Sequence, residues 1–116
     1  MDFNPIISSC REVFGCDVVL ARYDSVASSV VISQIACQVP GKGNGTMCMK
    51  YLLKELGRKG IRVVTAMTIP FNTGGVVDTS FENVNRLKMW YESLGFGLVA
   101  YHEGKDFIAA EMKMVL

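Results

Sequence analysis

A chain of 116 residues, half of them apolar and a fifth charged, is long enough for one buried core and too short for two. Its net charge of +1 supplies neither the basic surface of a nucleic-acid binder nor an excess of cations for an anionic membrane. Apolar runs such as Val18-Val19-Leu20-Ala21 and Val30-Val31-Ile32 are strand-sized, far below the roughly 20 residues of a membrane-spanning helix.

Ile6, Ile7, Cys10, Val13 and Phe14 recur at helical spacing and predict a short first helix closed by Gly15. Cys16 to Tyr23 reads as a strand rich in apolar residues, and Asp24-Ser25 as a turn. Ser28 to Val39 reads as a longer strand, too continuously apolar for one face to lie in water. The glycine-rich segment Pro40-Gly41-Lys42-Gly43-Asn44-Gly45-Thr46 follows. Thr46 to Lys59 then predicts a helix with Cys48, Leu52, Leu53 and Leu56 inward and Lys50, Lys54, Glu55 and Arg58 outward. Gly60 ends it. Ile61 to Ile69 is a strand stopped by Pro70, and Phe71 to Thr79 is a loop with Asn72, Gly74 and Gly75.

Ser80 is a good N-cap for a helix whose Phe81, Val84, Leu87, Trp90, Tyr91 and Leu94 share one face, with Gly95 as the stop. Phe96 to His102 and Asp106 to Val115 form a hairpin about Glu103-Gly104-Lys105. The order α-β-β-α-β-α-β-β predicts a single α/β (α+β) domain over 1–116. Its mixed, mostly antiparallel central sheet carries helices on both faces.

Cys10, Cys16, Cys37 and Cys48 form no Cys-x-x-Cys pair, and His102 is the one histidine, which argues against a metal site. Met1-Asp2-Phe3-Asn4-Pro5 lacks the layout of a secretory signal, so a cytosolic protein is expected. That setting argues against a disulfide framework and leaves the cysteines as small buried hydrophobes.

Glycines at 41, 43 and 45 let the backbone turn freely and approach a ligand without Cβ obstruction. They open into a helix whose first amides and positive dipole end suit a phosphate or pyrophosphate, with Lys42 as a nearby cation. A tight strand-to-helix turn explains the same glycines without a ligand. Two known phosphate loops do not fit. Lys42 is followed by Gly43 and not by Ser or Thr, and strictly alternating glycines miss the G-x-G-x-x-G spacing.

Val39-Pro40-Gly41-Lys42-Gly43-Asn44-Gly45-Thr46, ahead of a helix, resembles the acetyl-CoA loop of the GNAT superfamily of N-acetyltransferases. That loop reads Arg/Gln-x-x-Gly-x-Gly/Ala at the end of a long strand, and here Pro40 stands at the Arg/Gln position. Trp90-Tyr91-Glu92-Ser93-Leu94-Gly95-Phe96 is similar to the family's later Tyr-Glu-x-Leu-Gly-Phe at the end of a helix. Helix, strand, loop and helix separate the two, as in the family, and the likeness covers residues 16 to 116. The part ahead of it, which commonly helps build the acceptor site, is abbreviated.

The resemblance implies a GNAT-like fold, acetyl-CoA as acetyl donor and an amine acceptor, either a small molecule or a protein. It implies that backbone near Cys37, Gln38 and Val39 holds the pantetheine arm. It assigns the pyrophosphate to Gly41, Lys42, Gly43, Asn44, Gly45 and Thr46. Asn85, with Asn83, brackets a family asparagine that touches the cofactor. Tyr91 would donate a proton to the departing thiolate, although an apolar helix face gives its ring a plain core role as well. Candidates for the general base are His102, Glu103, Asp78 and Glu82, or a water relay. A CoA-binding or protein-interaction scaffold is the alternative from another class. The metal-dependent glyoxalase and dioxygenase superfamily, whose helices can end similarly, needs more histidines than one. Two copies could pair through a sheet edge or a helix face, giving a homodimer.

Overall fold

The computed structural model of the chain describes residues 1–38, 43–68, 81–103 and 108–116, without the side chains of Phe81, Glu82, Asn83 and Ile108. Its elements are α1 (Asn4–Phe14), β1 (Cys16–Asp24), β2 (Ser29–Cys37), α2 (Asn44–Arg58), β3 (Val63–Thr68), α3 (Phe81–Ser93), β4 (Gly97–Glu103) and β5 (Ile108–Val115). The strands form one mostly antiparallel sheet in the order β1-β2-β3-β5-β4, the α/β architecture expected. The chain divides into two compact units, Met1–Val64 with Val115–Leu116, and Thr65–Met114. Among the described residues no helix is long and apolar enough to cross a membrane.

In the first unit, α1 starts with a proline in its first turn, where the missing N–H costs nothing. Gly15 closes it at φ 66°, donating its N–H to the carbonyl of Arg11 at 3.1 Å. Ile6 and Cys10 are buried as expected, but Val13 is 71% exposed and does not belong to the apolar face. β1 and β2 make an antiparallel hairpin. Its turn is held by Asp24, whose Oδ1 accepts the N–H groups of Val26 and Ala27 at 2.9 and 3.1 Å.

Cys16 and Cys37 are joined by a disulfide, against the expectation that the cysteines serve only as buried hydrophobes. Strand register is the reason. The two residues face each other across the hairpin with Cα atoms 4.1 Å apart. Just beyond them Gln38 donates its N–H to the carbonyl of Gly15 at 2.9 Å, so they form a non-hydrogen-bonded pair, where side chains lie closest. Cys10 and Cys48 are free and buried.

The α2 helix begins at Asn44, two residues before its expected start, and buries Cys48, Met49, Leu52, Leu53 and Leu56. Each such leucine contributes roughly 1.5–3 kcal/mol when fully removed from water. Arg58 pairs with Glu55 at 3.0 Å on the exposed side, and Gly60 turns the chain at φ 89°.

In the second unit, Thr68 is the buried polar residue of β3, and its Oγ1 accepts the N–H of Ala110 at 2.9 Å. Along α3, Val84 and Tyr91 are buried and Leu87, Trp90 and Leu94 half-buried, in agreement with the apolar stripe read from sequence. Gly95 ends the turn at φ 104°, and Phe96 donates its N–H to the carbonyl of Tyr91 at 3.1 Å. β4 and β5 pair antiparallel, with an irregularity between Leu98 and Ala100. Leu98, Val99 and Tyr101 of β4 are exposed.

Candidate functional site

The start of α2 is built by one backbone choice. Gly43, the N-cap, sits at φ 77°, a left-handed conformation that glycine adopts without strain. A Cβ there would meet nothing within 4 Å, so conformation and not crowding requires the glycine. The helix ladder opens with Met47 N–H on the carbonyl of Gly43 at 3.1 Å. Asn44, Gly45 and Thr46 form the first turn, whose N–H groups point out at the N-terminal end of the helix axis. Asn44 and Gly45 were expected in the loop and Thr46 at the helix start. The structure places all three inside the helix. No acidic residue lies in that turn and no side chain caps it, so its positive end meets no protein carboxylate from its own helix.

Val39, Pro40, Gly41 and Lys42 lie outside the described residues, as do Asp78, the expected N-cap Ser80 and the side chain of Glu82. Cys37 and Gln38 are described, and their backbones face opposite ways. Gln38 turns its N–H to Gly15 on the β1 side. Cys37, in a non-hydrogen-bonded pair with Cys16, therefore directs its own N–H and C=O away from β1.

Tyr91 lies in the second unit, 2% exposed, with its ring 5.1 Å from Phe96 in an edge-to-face contact and 5.0 Å from Trp90. Burial raises its phenol above the ordinary tyrosine value, so it stays protonated at neutral pH and keeps a hydrogen to donate. Asn85 is half-buried on α3, its Nδ2 3.9 Å from the sulfur of Met89. Lys88 and Glu92 pair at 3.0 Å one turn apart.

Among the base candidates, Glu103 is exposed on β4. His102 is exposed as well, and its Nε2 lies 3.1 Å from Glu111 Oε1. A carboxylate on one ring nitrogen orients an imidazole and leaves the other nitrogen to exchange a proton. The sequence reading missed Glu111. It sits on β5 two residues beyond Ala109, the residue opposite His102, and only the strand pairing brings the two together. No group of three or more metal-ligating residues occurs among the described residues.

No family model matches the chain, and no curated protein matches its sequence. Its similar solved structures are acetyltransferases. One is a GNAT-family acetyltransferase structure from Desulfovibrio desulfuricans, at 13% identity and a TM-score of 0.65, covering 84% of this chain and 59% of that one. A second is the ribosomal-protein-S18-alanine N-acetyltransferase from Escherichia coli, at 18% identity and a TM-score of 0.57, covering 86% and 60%. A third is an aminoglycoside 6′-N-acetyltransferase complexed with coenzyme A, at 15% identity and a TM-score of 0.61, covering 84% and 65%. At these identities the likeness shows the fold, which is that of the GNAT acetyltransferases. The chain spans 59 to 65% of the length of these three structures.

Proposed function

We propose that the chain is an acetyl-CoA-dependent N-acetyltransferase, moving the acetyl group to a primary amine by direct attack in a ternary complex. The start of α2 carries this reading: a glycine-led helix N-terminus with no acidic residue in its first turn, placed after β2 in a chain with the GNAT fold. The pyrophosphate of the donor rests on the first-turn N–H groups of Asn44, Gly45 and Thr46 and on the Gly41-Lys42-Gly43 segment before them. Its pantetheine amides pair with the backbone of Cys37 like an added strand, and Asn85 contributes a side-chain contact. The coenzyme A complex of the aminoglycoside enzyme supports the choice of donor.

The acceptor is a neutral amine. Its nitrogen forms a bond to the thioester carbonyl carbon, the C–S bond breaks, and the ammonium proton is lost to a base or to water. Holding donor and acceptor together supplies much of the acceleration. Tyr91 donates its phenolic hydrogen toward the departing sulfur. Both an aminoglycoside and a protein alanine are named among the acceptors of similar structures, which leaves the size of this acceptor to experiment.

A melting curve tests the donor. Acetyl-CoA at 100 times its dissociation constant adds about 2.7 kcal/mol to the stability of a binder. An unchanged midpoint at millimolar acetyl-CoA would remove the donor from the proposal. The near-complete burial of Tyr91 favours one second reading, a protein that binds coenzyme A without transferring acetyl. Binding without turnover across a panel of amines and peptides, followed by mass spectrometry, would select it.

A further inference from the structure

The disulfide plays no part in the proposed chemistry, and its two residues differ in exposure. Cys16 is 0% exposed. Cys37 is half-buried at the last position of β2, followed by exposed Gln38. The other two thiols, Cys10 and Cys48, are 0% exposed and hydrogen-bonded to each other. Cys37 is therefore the least buried of the four cysteine residues. Thiol–disulfide exchange starts with a thiolate on one particular sulfur, and access to that sulfur helps set its rate.

We propose that Cys37 is a thiol-exchange site, at which a low-molecular-weight thiol opens the bond to Cys16. The incoming sulfur bonds to Cys37 Sγ and the bond between Cys37 and Cys16 breaks. Its electron pair goes to Cys16, which takes a proton from solvent and stays buried as a thiol. A second small thiol then attacks the mixed disulfide at the small-molecule sulfur, leaving Cys37 reduced and releasing the oxidised dimer of the small thiol. Two thiols are oxidised for one disulfide reduced, and Cys16 can reverse the first step from its opposed position on β1.

The site is linked to the donor. Cys37 is the residue whose backbone faces away from β1 and, on the reading above, pairs with pantetheine. A bound donor lies over the accessible side of Cys37 and shields it.

The test is site-resolved labelling of the folded, oxidised chain with glutathione, quenched in acid and mapped by mass spectrometry. The expected result is a glutathione adduct at Cys37, a free thiol at Cys16, and no labelling of Cys10 or Cys48 before denaturation. Acetyl-CoA at ten times its dissociation constant is expected to slow the reaction about tenfold, as for a bound form closed to attack. A parallel arm uses coenzyme A as the thiol. Equal reactivity with glutathione marks a general small-thiol site, and a much faster coenzyme A adduct makes coenzyme A the thiol that the site takes. Adducts that form first at Cys16, or exchange no faster than global unfolding, overturn the site. Acetyl-CoA that binds without slowing exchange overturns the link to the donor. Acetyl-CoA that does not bind defeats the donor reading alone, and the labelling pattern still decides the exchange site.

Discussion

Replacing both Cys16 and Cys37 with alanine, or reducing the bond in the native chain, removes a cross-link between residues 21 positions apart. In the chain-entropy account, closing a loop of that length takes about 11 cal/mol/K from the unfolded ensemble, or about 3 kcal/mol at room temperature. The folded side changes little, because the hairpin register and the Gln38 to Gly15 hydrogen bond hold the same strand ends together. An unfolding entropy of roughly 2.1 cal/mol/K per residue converts this loss to a fall of about 12 °C in melting temperature. Calorimetry of the oxidised and reduced chains, with thiol counting on each sample before the scan, measures it. Midpoints that agree within about 3 °C, for samples proven to differ in oxidation state, would refute the entropic account and leave the bond without a stabilising role.

Tyr91→Phe is expected to lower turnover at neutral pH at least tenfold while acetyl-CoA affinity stays within a factor of about two; unchanged turnover takes Tyr91 out of the chemistry. The same variant has a signature in alkali. Burial raises the folded phenol, so the folded chain keeps a proton that the unfolded chain releases near pH 10. The stability this provides is complete below about pH 10 and is lost as pH rises through the folded value, by at most about 1.4 kcal/mol per pH unit. Urea titrations above pH 10 should show a shallower decline for Tyr91→Phe, and parallel declines count against the burial argument. Leu56→Ala, at a fully buried position of α2, should cost about 2–5 kcal/mol in urea unfolding; a loss below 1 kcal/mol would mean that this face of the helix is not core. Gly95→Ala must adopt φ 104° and brings a Cβ to 3.3 Å from Met114 Cε, so a loss of about 1–2 kcal/mol is expected. A variant as stable as the parent would show that the turn relaxes freely.

The α2 helix was legible because Cys48, Leu52, Leu53 and Leu56 recur with the helical period, and a local period needs no knowledge of the rest of the chain. Its first residue was not. Three glycines in alternation look alike in sequence, yet Gly43 takes the left-handed cap while Gly45 lies within the first helical turn. Val13 failed for a related reason: it fits the period of α1, but the burial of that helix is narrow and ends at Ile6 and Cys10. The disulfide and the His102–Glu111 pair were out of reach because both depend on strand register, which joins residues 21 and 9 positions apart. Tyr91 was found through the motif around it. Its depth of burial, which bears on its role, follows from packing against Trp90 and Phe96.

Trp90 has a use of its own. It is the one tryptophan of the chain, half-buried on α3 with its ring 5.0 Å from that of Tyr91. Indole emission, excited selectively, therefore reports on the unit Thr65–Met114 without a label. Ellipticity draws on the three helices of the described residues, two of which lie in the other unit. If emission and ellipticity change together through a melt, the two units unfold as one cooperative body; if emission moves first or last, they are separate folding units. A native chromophore thus gives a direct optical reading of how far the two halves of the chain depend on each other for stability.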